Sequence, residues 1–263
     1  MAGDEEELQG GIANAGAVIR IGSEVRRPWN DFTASAQRFL HDVRSAGFTG
    51  VPLPLGKHED GRERLSYVPG EVPVPPYAAW AQTDEALASV ATLMRRFHDV
   101  AATLGLEGVW SSELADPHGG PIVCHNDVCL ENVVFRDGTA VAVLDWDFAA
   151  PGRPVYDLAQ LARMCVPIDD DLSAGRLGWE TANTPARLRL VSDAYGLGNP
   201  ERNALLSDLD HSMKVGGAFV SRRVEAGDPN FTRLWKTMGG MERYDRRREW
   251  WSRVRDDFER ALR

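Results

Sequence analysis

Apolar positions along this chain change period repeatedly, and each change marks an element. Within residues 8–68 the spacing is mostly alternating. Ala17-Val18-Ile19-Arg20-Ile21 and Glu24-Val25-Arg26-Arg27 read as short strands around a Gly22-Ser23 turn. Helical spacing takes over from Thr33 to Ser45, with Phe39, Leu40 and Val43 on one face and Gly47 as the stop. The Pro-rich Val51-Pro52-Leu53-Pro54-Leu55 leads back to alternation in Arg64-Leu65-Ser66-Tyr67-Val68. Pro69-Gly70 and Val72-Pro73-Val74-Pro75-Pro76 then form a stiff linker. This predicts a β-rich lobe over 1–68, a hinge over 69–82 and a mostly helical lobe over 83–263.

The second lobe opens with Leu87, Val90, Met94, Phe97 and Ala101 at helical spacing, capped by Thr83 with Asp84 and Glu85 in the first turn. His98 on that helix reads as a packing group that braces a neighbouring loop. Pro121-Ile122-Val123, the run from Asn132 to Phe135 and the run from Thr139 to Leu144 read as strands, the last two joined by the hairpin turn Arg136-Asp137-Gly138-Thr139. Three later helices are announced by Thr184-Pro185, Asn199-Pro200 and Asp228-Pro229. The last runs toward Arg263 with Trp250, Trp251 and Phe258 as packing aromatics and a break at Gly239-Gly240.

Candidate chemistry concentrates in Cys124-His125-Asn126-Asp127-Val128-Cys129-Leu130-Glu131-Asn132 and in Val141-Ala142-Val143-Leu144-Asp145-Trp146-Asp147. The hairpin brings Asp127, Asn132 and Asp145 to one end. Phosphoryl transfer from a nucleotide uses such a set: one carboxylate to orient the attacking hydroxyl, and hard oxygen ligands for the magnesium on the phosphates.

This pattern, with Phe148-Ala149-Ala150-Pro151-Gly152-Arg153-Pro154-Val155-Tyr156-Asp157-Leu158-Ala159 after it, resembles the aminoglycoside phosphotransferase family, relatives of the protein kinases. The likeness is densest over 122–163. It implies an α+β, bilobal, protein-kinase-like fold and an O-phosphotransferase that uses ATP or GTP with Mg2+. By resemblance, Asp127 is the catalytic base, Asn132 and Asp145 are the metal ligands, His125 braces the catalytic loop, and Asp157 ties that loop to the next helix. Asp147 is left between a second metal, the substrate and an ion pair. The strand ending at Val68 delivers the backbone that receives the nucleobase.

The family's phosphate-holding Lys is missing, since residues 1–56 contain no Lys. By position Arg26 is the first substitute and Arg27 the next; either keeps the charge and can grip a phosphate bidentately. The helix over 33–45 offers no Glu partner, only Gln37, His41 and Asp42. Gly10-Gly11-Ile12-Ala13-Asn14-Ala15-Gly16 is the candidate phosphate-covering loop.

Net charge is −9, from 30 basic and 39 acidic residues, which disfavours nucleic acid and suits a polycationic small-molecule acceptor bearing a hydroxyl. Asp169, Asp170 and Asp171 are the candidates to receive its ammonium groups, against a plainer role as helix caps. No apolar stretch approaches the ~20 residues of a membrane span. The acidic Gly3-Asp4-Glu5-Glu6-Glu7 reads as a frayed tail. Cys124, Cys129 and Cys165 fit neither a disulfide framework nor a zinc site, and point to a reduced, cytoplasmic protein. The rival classes are a pseudokinase that binds nucleotide without catalysis and a metal-dependent nucleotidyltransferase using Asp145 and Asp147.

Overall fold

A computed structural model of the chain describes residues 5–8, 11–14 and 16–263. Its first lobe is an antiparallel sheet of β1 (Glu5–Glu7), β2 (Ile19–Ile21), β3 (Glu24–Arg27), β4 (Pro54–Lys57) and β5 (Glu63–Ser66), in the order β1-β2-β3-β5-β4. Glu5–Glu7, expected to fray, instead pairs with β2 along the sheet edge, Glu5 opposite Ile21. Helix α1 (Thr33–Ser45) has the predicted bounds and buries Phe39, Leu40 and Val43.

Pairing of β3 with β5 sets Arg27 directly opposite Glu63 and Arg26 opposite Arg64. Successive side chains leave a strand on opposite faces, so this register sends Arg27 and Arg26 into different surroundings.

The linker is pinned to the second lobe: Glu71 and Phe135 exchange both backbone hydrogen bonds, at 2.8 and 2.7 Å. Helix α2 (Asp84–Ala101) follows, its first turn capped by the Thr83 hydroxyl accepting from the Ala86 amide at 3.1 Å. Then come β6 (Ile122–Cys124), β7 (Val133–Arg136), β8 (Thr139–Val143) and β9 (Ala150–Gly152). β7 and β8 form the predicted hairpin, turning through Asp137 and Gly138 at φ 49° and 72°, while β6 pairs with β9. The helices α3 (Pro154–Cys165), α4 (Asp171–Arg176), α5 (Thr184–Tyr195), α6 (Asn199–Glu225), α7 (Pro229–Met238) and α8 (Gly240–Leu262) complete the lobe. This is an α+β, bilobal, kinase-like fold.

The main core joins α2, α3, α5 and α8 to the hairpin through Val90, Phe97, Val133, Trp146, Leu161 and Phe258, all nearly fully buried. It packs directly beneath the loop that carries Asp127. No helix among the described residues is long and apolar enough to cross a membrane.

Candidate active site

The loop from β6 to β7 is held by buried hydrogen bonds. Asp157, in the first turn of α3, accepts from the backbone amides of His125 (2.8 Å) and Asn126 (2.7 Å). It also bonds His98 Nε2 at 3.0 Å, and the other ring nitrogen of His98 meets the Tyr195 hydroxyl at 2.6 Å. Burial pushes the Asp157 carboxyl up; the His98 bond, the neighbouring imidazoles and the amides outweigh it, leaving the pKa below the usual Asp value. The bracing role expected of His98 is thus exerted through Asp157.

His125 bonds the Leu144 carbonyl through Nε2 at 2.7 Å, so Nε2 carries the proton and Nδ1 accepts from the Asp127 amide at 3.2 Å. Burial holds His125 below the ordinary imidazole pKa, so it is neutral. One side chain therefore ties the loop that carries Asp127 to the strand exit that delivers Asp145. Trp146, next to Asp145 and 2% exposed, packs edge-on against His125 at 4.6 Å and Phe97 at 4.9 Å. That buried anchor lets Asp145 keep a left-handed backbone, φ 61°, which non-glycine residues hold only where the surroundings enforce it. Asn126 at φ 65° does the same ahead of Asp127.

Asn132 donates Nδ2 to the Asp127 carbonyl at 3.0 Å, which leaves Oδ1 free. A Cβ built on Gly11 would stand 3.0 Å from Asp145 Oδ2 and 4.0 Å from Asn132 Oδ1, so both oxygens converge beneath Gly11. Two uncommitted oxygens at one spot, one anionic and one amide, are a donor set that fits magnesium. Within the predicted phosphate-covering loop Gly11 and Asn14 lie over the site, with Asn14 Nδ2 3.0 Å from Asp147 Oδ2; Gly10 and Ala15 lie outside the described residues.

Arg27 faces this site and Arg26 does not. Arg26 bonds Glu24 at 2.7 Å on the other face of the sheet, where Arg64 joins the same carboxylate, so the expectation for Arg26 is corrected. The Arg27 guanidinium bonds Glu63 through Nε, Asp145 Oδ1 at 2.6 Å and Asp147 Oδ1 at 2.9 Å. Gln37 of α1 supports Glu63 with a 2.8 Å bond. A carboxylate partner for the cation does exist, then, on β5 rather than on the helix. Burial opposes the charge on Arg27, but Glu63, Asp147 and Asp145 overcome it and raise the pKa above its usual value. Asp147 is an ion-pair partner and hydrogen-bond acceptor here.

Asp127 itself is half-buried. Burial and then the charge of Asp145 raise its pKa to about 8, while the Arg163 guanidinium pulls the other way. Asp145 is raised by burial and by Asp147, with Arg27 opposing. Crowded carboxylates of this kind need cations to ionise together.

A cavity of about 240 Å³ runs from this cluster to the hinge. Val25, Val68, Val72 and Leu144 make its apolar part, and Arg27, Asn132 and Asp145 its polar end. Val68 lines this cavity. Asp169 and Asp170 are not free to receive ammonium groups. Asp169 pairs with Arg243 at 2.6 Å, and Asp170 caps α4 through the Ser173 amide at 3.2 Å and meets Arg246 at 3.3 Å. Only Asp171 is exposed. Sequence reasoning passed over the roles of Glu63 and Trp146, which depend on contacts between residues distant in sequence.

The two-lobed kinase-like fold thus brings Asn132 Oδ1 and Asp145 Oδ2 together beneath Gly11, with Asp127 bonded to Asn132 through its carbonyl. Residues 106–191 match the model of the phosphotransferase enzyme family, and this segment contains Asp127, Asn132, Asp145 and Asp157. The chain is 28% identical to the trifolitoxin immunity protein of Rhizobium leguminosarum bv. trifolii over 247 residues, 89% of this chain and 92% of that one. In fold it is similar to a choline/ethanolamine kinase family protein from Mesorhizobium loti, with a TM-score of 0.59, 17% identity, and 99% and 91% of the two chains covered. It is likewise similar to an aminoglycoside phosphotransferase in complex with GDP and kanamycin, with a TM-score of 0.59, 15% identity, and 90% and 93% covered.

Proposed function

We propose that the protein transfers the γ-phosphoryl group of ATP or GTP, with magnesium, to a hydroxyl of a small molecule. The observation that carries this reading is the meeting of Asn132 Oδ1 and Asp145 Oδ2 at the polar end of a cavity whose other end is apolar, with Asp127 held next to them through Asn132. The nucleobase lies against Val68 and Val72 beside the hinge, which we take as residues 69–82. The triphosphate runs toward Gly11 and Asn14. Arg27 holds Asp145 and Asp147 at the phosphate end and lends them its charge.

When bound, magnesium supplies charge neutralisation on the phosphates, and Asn132 and Asp145 would hold it. Asp127 orients the acceptor hydroxyl and takes its proton. His125 and Asp157 fix the loop so that the Asp127 carboxylate stays in place; positioning is most of what this chemistry asks of a protein. Family likeness fixes reaction type better than acceptor. The immunity protein among its relatives supports a toxin or antibiotic as acceptor, in the cytoplasm, where nucleoside triphosphates are available.

The chain's three converging oxygen-bearing residues oppose the pseudokinase reading. A nucleotidyltransferase reading needs Asp145 and Asp147 as paired metal carboxylates, and the commitment of Asp147 to Arg27 and Asn14 opposes it. Product analysis separates the three. Incubation with ATP or GTP, magnesium and a panel of hydroxylated antibiotics is expected to release ADP or GDP and add one phosphate to an acceptor. Pyrophosphate release would make the protein a nucleotidyltransferase, and nucleotide binding without any product would make it a binding module.

A further inference from the structure

The loop between β1 and β2 crosses from the first lobe to the second. It is closed at its base, where the Leu8 amide donates to the Val18 carbonyl at 3.0 Å, and its far side is a single 3-10 turn, Ile12–Asn14. That turn lies beside α7 of the second lobe. Asn14 donates Nδ2 to Asp147 Oδ2 at 3.0 Å, across 133 positions of sequence. Among the described residues this is the one side-chain hydrogen bond between the loop and the second lobe. Arg27 holds the other oxygen of Asp147 at 2.9 Å, so the acceptor of the Asn14 bond is itself fixed in place.

Gly11 precedes the turn and stands over the two metal-ligand oxygens. A Cβ on it would be 3.0 Å from Asp145 Oδ2 and 4.0 Å from Asn132 Oδ1, and the glycine backbone lies one carbon–carbon bond beyond that point. Magnesium takes octahedral oxygen ligands at about 2.0–2.1 Å, so an ion held by Asp145 carries its other ligands roughly 3–4 Å from that carboxylate oxygen. With Gly11 this close, an ion there has no room for phosphate oxygens on the Gly11 side. The loop and a magnesium–triphosphate compete for one space.

We propose that the Asn14–Asp147 bond is an autoinhibitory latch: it holds the β1–β2 loop down on Asp145 and Asn132, and the loop lifts before the magnesium–nucleotide complex binds. This rests on the phosphotransfer reading and adds a gate to it. Arg27 sets the latch by orienting Asp147 toward Asn14, and the closed base of the loop at Leu8 and Val18 is the pivot. One hydrogen bond to a carboxylate is enough to bias such an equilibrium and weak enough for an arriving ligand to reverse it.

Association and release of a fluorescent analogue of ATP or GTP, with magnesium, are followed by stopped flow on wild type and Asn14→Ala. The base used is whichever one either protein binds. Asn14→Ala is expected to associate several-fold to about tenfold faster, the weight of one charge-assisted hydrogen bond, with the release rate nearly unchanged. Its Kd should fall by the same factor, since a closed form that cannot bind raises the apparent Kd in proportion to its share. Binding by the variant alone would be the extreme form of this result. Arg248→Gln, at an exposed position far along α8, should match wild type in both rates. Equal association rates in wild type and Asn14→Ala would overturn the latch while leaving the nucleotide site intact. Faster release with unchanged association would also overturn it, and would make Asn14 a residue that grips the bound nucleotide. If neither protein binds either nucleotide, the phosphotransfer reading itself fails and the latch falls with it.

Discussion

Two sets of arginines, buried Arg27 and half-buried Arg163, Arg243 and Arg247, differ in their partners. Arg27 gives each guanidinium nitrogen to a carboxylate, Glu63, Asp145 or Asp147, and Gln37 holds Glu63 from behind. Arg163, Arg243 and Arg247 have one carboxylate, Asp169, within ion-pair distance among the described residues, and two buried Nε atoms are unmatched. The first group is fully paired, so it fixes the positions of Glu63, Asp145 and Asp147. The second has fewer acids than cations, so removing one of its arginines leaves no carboxylate without a partner. A buried charge says little by itself; what it is paired with separates architecture from recognition.

The sharpest cut falls between the two groups. Asp127→Asn is expected to lower turnover by roughly 10²–10⁴-fold, the range for a positioned base, with nucleotide affinity nearly unchanged in a binding titration. Equal losses in turnover and nucleotide affinity would instead make Asp127 part of the nucleotide site.

The comparison itself is tested by removing one arginine from each group. Arg27→Met leaves Glu63, Asp145 and Asp147 facing one another, and should cost about 3–5 kcal/mol in urea unfolding. Arg163→Gln removes a cation without a carboxylate partner and should change stability by less than about 1 kcal/mol. Similar losses in both would erase the distinction.

A smaller effect is expected at the brace. Asp157→Asn should cost roughly 1–3 kcal/mol at neutral pH, because buried amides of the catalytic loop lose a charged acceptor. The folded-state pKa of Asp157 is depressed, so the carboxylate stabilises the fold above its unfolded pKa of about 3.9 and loses this as pH falls through the folded value. The variant should therefore lose less stability than wild type between about pH 5 and the acid limit.

Much of this was legible in the sequence, for identifiable reasons. Helix α1 followed from Phe39, Leu40 and Val43, and the hairpin from Asp137-Gly138, because local spacing and turn chemistry act over a few residues. Asp127, Asn132 and Asp145 were legible because one hairpin joins them. Arg26 was preferred to Arg27 because a strand's hydrophobic pattern was too short there to fix which face looked inward; one position decides it. Glu63 was overlooked because its partnership is set by the register of β3 with β5, 36 residues apart in sequence. Asp169 and Asp170 looked available because Arg243 and Arg246, which neutralise them, lie 74 and 76 residues further along the chain.

The central claim is that Asp145 and Asn132 hold a magnesium–nucleotide complex in the cleft. Thermal stabilisation by ATP and by GTP, each with and without magnesium, on wild type and Asp145→Asn, tests it most directly. A nucleotide at a hundred times its Kd stabilises the folded state by about 2.7 kcal/mol. The account predicts a magnesium-dependent shift with at least one nucleotide that disappears in Asp145→Asn; no shift with either, or an equal shift in the variant, would contradict it.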